Sequence, residues 1–313
     1  MSVQPSNGQE SSILFHRGGD VYFTNPDGMN SIKVTEGSDP VWSPDGNSFL
    51  VTRQRTIWVV PLDGSVSVPL GGGKGFTWSP DGQYVIFQRD GIEMINKDGS
   101  GRRQLASSSA WFPRCPPTDP LVVYYNHGAG DNPALYRVHV STGESELVRA
   151  STYIPELRNA FSPDGNRLLV SEVGDGAFVK VMTLSTGELK KIEFSNGAQN
   201  FSWSPDGTRM VFQVAYGMTP GLYVASADGQ VVNKLISAQA GAIPLGASWS
   251  PSGDMIAFYM EGTGAIFLID ADGSGMRKLT EGIGPTVWLP IQLRSPGGTS
   301  VQTLPWGLLK SQQ

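Results

Sequence analysis

Two stretches of the sequence gather side chains that move protons or hold polar ligands. His127-Gly128-Ala129-Gly130-Asp131-Asn132 offers an imidazole and a carboxylate, and Tyr153-Ile154-Pro155-Glu156-Leu157-Arg158 offers a phenol, a second carboxylate and a guanidinium. Glu156 or Asp131 poised beside His127 or Tyr153 is the least that general acid–base chemistry on a saccharide or lactone would need. The same groups on solvated loops need no chemistry at all, because long loops are polar wherever they meet water. Arg53, Arg55, Lys74 and Arg89 form a positive set suited to an anionic peptide or carboxylate, with Asp90 as an acidic neighbour. Tyr216-Gly217-Met218-Thr219-Pro220 and Ala242-Ile243-Pro244-Leu245 add apolar loop residues, and Tyr and Met are common on protein-binding surfaces.

Patterns that would commit the chain to catalysis do not occur in it. There is no Gly-x-Ser-x-Gly nucleophile elbow, no His-Glu-x-x-His and no P-loop. A single cysteine, Cys115, excludes an intrachain disulfide and a Cys-cluster metal site. The spacing of His16, His127 and His139 suggests no three-His centre. The Asp270-Ala271-Asp272-Gly273-Ser274-Gly275 turn has the opening of a calcium loop. Glu281 stands at its twelfth position, but Met276 to Leu279 read as a strand, so turn chemistry accounts for the motif. The expectation is no metal, no cofactor and no catalytic residue.

Composition narrows the partners. The net charge is -5 and only 16% of residues are charged, so the chain lacks the basic excess that binding a run of phosphates requires. Hydrophobic residues at 39%, with 39 Gly and 22 Pro, exceed what disorder allows in apolar content and what a helical bundle allows in turn residues. No stretch approaches the roughly 18 apolar residues of a membrane-spanning helix. Met1 to Gln9 has neither the basic start nor the apolar core of a secretory signal.

The elements that must position these residues come from a repeat. Trp-Ser-Pro-Asp-Gly begins at Trp42, Trp78 and Trp203, becomes Trp-Ser-Pro-Ser-Gly at Trp249 and Phe-Ser-Pro-Asp-Gly at Phe161, and weaker anchors stand at Trp111 and Trp288. Successive anchors lie 33 to 50 residues apart, the range of a propeller blade with loops of varying length. Each is followed by an apolar run such as Tyr84-Val85-Ile86-Phe87, a loop, a second run, and an Asp-Gly or Thr-Gly turn into a short strand. Asp-Gly suits hairpins because glycine accepts positive φ and Asp bonds its own backbone. Runs apolar on both faces imply sheets covered on both sides, as in blades packed around a ring. The first residues supply only three strands, and Thr286-Val287-Trp288-Leu289 has the signature of the missing innermost one. The expected fold is therefore all-β, a seven-bladed propeller of four-stranded antiparallel blades closed by pairing of N- and C-terminal strands. Six blades result if the third unit, with its Cys115-Pro116-Pro117 insertion, is not a blade.

These residues, together with Asp272-Gly273-Ser274-Gly275 leading to Leu279-Thr280, resemble the PD40 or WD40-like repeat of TolB-type propellers over about residues 11 to 290. The resemblance implies a bacterial, extracytoplasmic setting. Similar repeats occur in periplasmic scaffold proteins, in gating domains of prolyl-oligopeptidase-type peptidases and in some lyases, so the fold does not by itself name a function.

In such a blade the connections between strands 2 and 3, and from strand 4 to the next blade, share one face. That face is expected to carry every long loop, and with them Arg53, Arg55, Arg89, His127, Asp131, Tyr153, Glu156, Arg158, Tyr216 and Met218 as binding residues. Residues 1–10 read as a flexible lead-in, 11–293 as one propeller domain and 294–313 as a tail whose Leu304-Pro305-Trp306-Gly307-Leu308-Leu309 patch docks on the propeller or engages a partner. The expected function is a non-catalytic scaffold for a protein or peptide, alone or as a subunit of a larger assembly. A lyase or hydrolase acting on a saccharide or lactone is the alternative.

Overall fold

The Trp-Ser-Pro-Asp-Gly motif is a turn bonded to itself. Ser43 N–H donates to Ser48 O and Gly46 N–H to Ser43 O, both at 2.9 Å, and Gly46 takes the positive φ of 67° that closes the turn. The Ser43 hydroxyl donates to Asp45 Oδ1 at 2.5 Å and accepts the Ser48 N–H at 3.0 Å. Serine supplies both donor and acceptor, and aspartate fixes the hydroxyl rotor. The same set forms at Ser79 with Asp81, Ser162 with Asp164 and Ser204 with Asp206. In the Ser250 turn, where Ser252 replaces the aspartate, Asp254 provides the carboxylate at 2.8 Å.

The computed structural model describes residues 13–288 apart from 29–30, 129–132, 156–158, 175–177, 194, 196, 215–219, 231 and 239–241. From the Ser43 turn grow four antiparallel strands, Ser38–Trp42, Ser48–Arg53, Thr56–Pro61 and Val68–Gly72, paired in that order. The same sheet recurs in residues 74–106, 110–150, 152–191, 198–237 and 244–281, giving blades 1 to 6 in chain order. Blade 7 joins Ile283–Trp288 to Ile13–Arg17, Asp20–Thr24 and Ile32–Glu36, with Ile13 opposite Trp288 and Leu14 opposite Val287. The chain is a seven-bladed all-β propeller, and the third unit is a true blade. First strands line the axis, where Ile283–Trp288 touches both Pro244–Trp249 and Ser38–Trp42.

Between blades the core is apolar. Phe15, Phe49, Phe87, Phe212 and Phe258 stand on the second strand of five blades, each fully buried. The anchor tryptophans add a directional bond. Trp78 Nε1–H donates to Val41 O at 3.3 Å, Trp42 to Val287 O at 3.2 Å, Trp288 to Ser248 O at 3.1 Å, Trp249 to Ser202 O at 3.0 Å and Trp203 to Ala160 O at 3.4 Å. Each indole thus bonds the residue before the anchor of the preceding blade, satisfying a buried carbonyl and fixing the angle between blades.

Blade 3 departs from this plan, and with it the expected anchor. Arg114 lies opposite Tyr124 as Ser202 lies opposite Val211, so the anchor place belongs to Cys115, while Trp111 pairs higher in the strand with Asn126. With Cys115 as anchor the spacings contract to between 36 and 46 residues. Burial pushes the Cys115 thiol pKa up. Neither Cys115 nor Phe161 has an indole, so other bonds hold blade 3. Tyr84 O–H reaches Pro120 O on one side, and on the other Asn126 accepts from Ile154 N–H and donates to Ile154 O, both at 2.7 Å.

The connections between blades also differ from expectation. In four of these hand-overs the strands run on almost end to end, leaving only Gly37, Gly73, Ser151 and Gly282 between them. A first strand starts across the face and then bends into the channel at a bulge whose corner residue has positive φ. These corners are Asp39 at 55°, Gly75 at 59°, Phe112 at 50°, Asn200 at 51°, Gly246 at 60° and Gly284 at 81°. Glycine serves the connections because the neighbouring blade leaves no space: a Cβ on Gly282 would fall 2.6 Å from Phe15 Cδ2.

Candidate functional site

The face bearing the 2–3 connections divides into two chemical zones. On blades 1 and 2 it is cationic. Arg55 sits at the tip of a two-residue hairpin, exposed, after Gln54; both have positive φ, 48° and 63°, where a hairpin ordinarily places Asn-Gly. Lys74 is exposed at the start of the first strand of blade 2, directly opposite Gln88, and Arg89 follows on the next connection. Arg89 Nε lies 3.9 Å from Asp90 Oδ2, with both side chains open to water, so the pair is weak.

Arg53 belongs to the scaffold. Its Nε donates to Glu36 O at 3.0 Å, its Nη2 to Thr35 Oγ1, and its guanidinium lies 5.2 Å over the Trp58 ring. Burial pulls its pKa below the ordinary arginine value. Arg53 therefore pins the outer strand of blade 7 to blade 1.

On blades 3 and 4 the face is aromatic. The Trp111 and Phe112 rings meet edge to face at 5.1 Å and 70°, and Tyr153 lies 6.3 Å from Trp111. All three are half-buried. Trp111 Nε1–H donates to Gly128 O at 3.2 Å, fixing its indole against the 2–3 connection of its own blade. Tyr153 stands on the short first strand Thr152–Tyr153, opposite Ser171. His127 ends the strand Val122–His127, its Nε2 3.4 Å from Ser107 Oγ and its ring 5.3 Å from Tyr136.

Polar groups ring the second strands just below this face. Asn126 and Gln213 occupy equivalent places and reach backbone of the following blade, Asn126 at Ile154 and Gln213 at Gly246, whose N–H Gln213 Oε1 accepts at 2.8 Å. Gln88 holds the same place in blade 2, and its Oε1 is buried without a hydrogen-bond partner among the described residues.

The structure thus brings Tyr153 together with Trp111 and Phe112, sets His127 on the strand beside them, and gathers Arg55, Lys74 and Arg89 on the neighbouring blades. Asp131, Glu156, Arg158, Tyr216 and Met218 lie outside the described residues. Pro244 and Leu245, expected in a loop, begin the first strand of blade 6. Trp111 and Phe112 were overlooked as site residues because a tryptophan near the expected period reads as an anchor. The available signal was Phe112 itself: three residues before the anchor, other blades place Asp39, Gly75, Asn200 or Gly246, all suited to positive φ.

The sequence pattern of the TolB beta propeller domain, PD40, matches residues 88–287. The chain belongs to this family. Among solved structures, the TolB-type propeller described above is similar to TolB from Acinetobacter baumannii, at 14% identity over 91% of this chain and 68% of that one, with a TM-score of 0.55. A functionally unknown protein from Desulfotomaculum acetoxidans matches at 11% identity over 90% and 99% of the two chains, with a TM-score of 0.64. Oligogalacturonate lyase from Vibrio parahaemolyticus matches at 12% identity over 87% and 86%, with a TM-score of 0.58. At these identities the likeness is one of fold. No helix among the described residues is long and apolar enough to cross a membrane, and no group of three or more His, Cys, Asp or Glu among them is placed to hold a metal ion.

Proposed function

We propose that this TolB-type propeller is a non-catalytic scaffold that presents the face of its 2–3 connections to a protein or peptide partner, in an extracytoplasmic compartment of a bacterium. One observation carries the reading. On that face the exposed cations Arg55, Lys74 and Arg89 adjoin the half-buried rings of Trp111, Phe112 and Tyr153, while the opposite face consists of tight turns bonded to themselves. A rigid ring with one variable face is the usual arrangement for recognition. Family membership supports the compartment, and a net charge of -5 favours a protein partner over nucleic acid.

The reading is tested by capture from an extracytoplasmic extract of the host on the immobilised protein. A stoichiometric partner is expected on the wild type and on an Asp63→Asn/Asp98→Asn/Asp272→Asn variant of the tight-turn face. It is expected to be lost from an Arg55→Glu/Lys74→Glu/Arg89→Glu variant. Retention by the second variant, or loss from the first, assigns recognition elsewhere.

A further inference from the structure

Phe112 is the exception in its ring of corners. Left-handed backbone is unfavourable for a bulky side chain, and such strain persists where the surroundings impose it, commonly at binding sites. The strained corner carries an aromatic side chain where the chain elsewhere uses Asp39, Gly75, Asn200, Gly246 and Gly284. Its ring packs beside the corner of blade 2, where a Cβ on Gly75 would stand 3.8 Å from Phe112 Cδ1, an ordinary van der Waals contact. Trp111, held by its bond to Gly128 O, and Tyr153 complete a platform of rings that stays half-exposed. Rigid aromatic groups lose little freedom on binding and are enriched among interface residues that dominate affinity.

The cationic zone is continuous with this platform. Phe112 leans on Gly75, Lys74 precedes it, and a Cβ on Gly72 would lie 3.5 Å from the carbonyl oxygen of Arg55. Among the described residues neither Arg55 nor Lys74 is engaged in an ion pair. Gln54-Arg55, a hairpin tip at positive φ without glycine, is a second strained position on the same rim, and it presents a cation.

We propose that Trp111, Phe112 and Tyr153 anchor one bulky apolar side chain of an extended acidic peptide segment, whose carboxylates face Arg55, Lys74 and Arg89. This rests on the scaffold reading and adds the chemistry of the partner. Charge decides between occupants: three cations beside an apolar platform match a segment with an aromatic residue among acidic ones.

The test is fluorescence anisotropy of labelled peptides with the full chain. The probes are Gly-Asp-Glu-Trp-Asp-Gly, a version with Ala for Trp and a version with Lys for the acidic residues. Trigalacturonate serves as competitor. The acidic Trp peptide is expected to bind at least about tenfold more tightly than either control, a ratio well resolved by titration. Trp111→Ala and Arg55→Ala/Lys74→Ala should each weaken it by a comparable factor. Phe112→Asn installs the corner residue of blade 5, so it should weaken the peptide while the melting temperature holds or rises. A merely structural Phe112 would do the reverse, losing stability and keeping affinity, and that result overturns the proposal. So does equal binding of the three peptides, no binding at all, or displacement by trigalacturonate alone. If the peptides fail while a captured partner is still lost from the Arg55/Lys74/Arg89 variant, the anchor is wrong and the scaffold reading stands.

Discussion

Asp206 accepts hydrogen bonds from the Ser204 hydroxyl, from Thr208 N–H at 3.0 Å and from Thr208 Oγ1 at 2.8 Å. The Ser204 bond is the largest of the influences that hold its pKa below 3.8, and the Ser162 bond does the same for Asp164. A carboxyl whose pKa is depressed by folding adds stability that is complete above the ordinary pKa and is lost as pH falls through the lower, folded value. Stability should therefore be level above about pH 5 and fall below about pH 4 as these turns protonate. Ser204→Ala should lower the melting temperature at neutral pH and make the acid limb shallower, since Asp206 then titrates nearer its ordinary value. An unchanged acid limb, followed by circular dichroism against pH, would show that the turn carboxylates do not set acid stability.

The connecting glycines give a test between blades. Gly73 has no positive φ; it is glycine because a Cβ there would collide with the ring of Phe87. Gly73→Ala should destabilise by about 1–3 kcal/mol through overpacking, measured by denaturant titration. This element was only half legible in the sequence. The repeat gave the blades, their turns and their closure, because Ser-Pro-Asp-Gly is a local structure that specifies itself. Where one strand hands over to the next blade, however, the deciding contact is between residues distant in sequence, as between Gly282 and Phe15. Glycine-rich stretches such as Gly71 to Gly75 consequently read as loops when they are strands with a bend. Cys115 was hidden for the same reason, since a small half-buried residue carries no trace of the indole place it fills. The candidate site divided similarly. Arg55, Lys74 and Arg89 could be placed on one face from their loops, whereas the union of Tyr153 with Trp111 and Phe112 depends on how blades 3 and 4 meet.

At the scale of the ring, closure depends on one strand. Trp288 is buried, bonds Ser248 O, pairs with Ile13, and is followed around the ring by Trp42, whose indole bonds Val287 O. Trp288→Ala should cost about 3–5 kcal/mol, in the range of other buried Trp truncations, and a chain ending before Ile283 should melt well below the intact one. Equal melting of the two would show that blade 7 holds without its inner strand. The same clasp sets an order of events on the ribosome. Residues 13–36 emerge first and pair among themselves, yet the inner edge of Ile13–Arg17 stays without its neighbour until residue 288 has been made. An unpaired apolar edge is a site for pairing with another chain, and contacts of such sequence separation form slowly. Aggregation during refolding should therefore originate at the Ile13-Leu14-Phe15 edge, and an added peptide of the Ile283–Trp288 sequence should act as its chaperone.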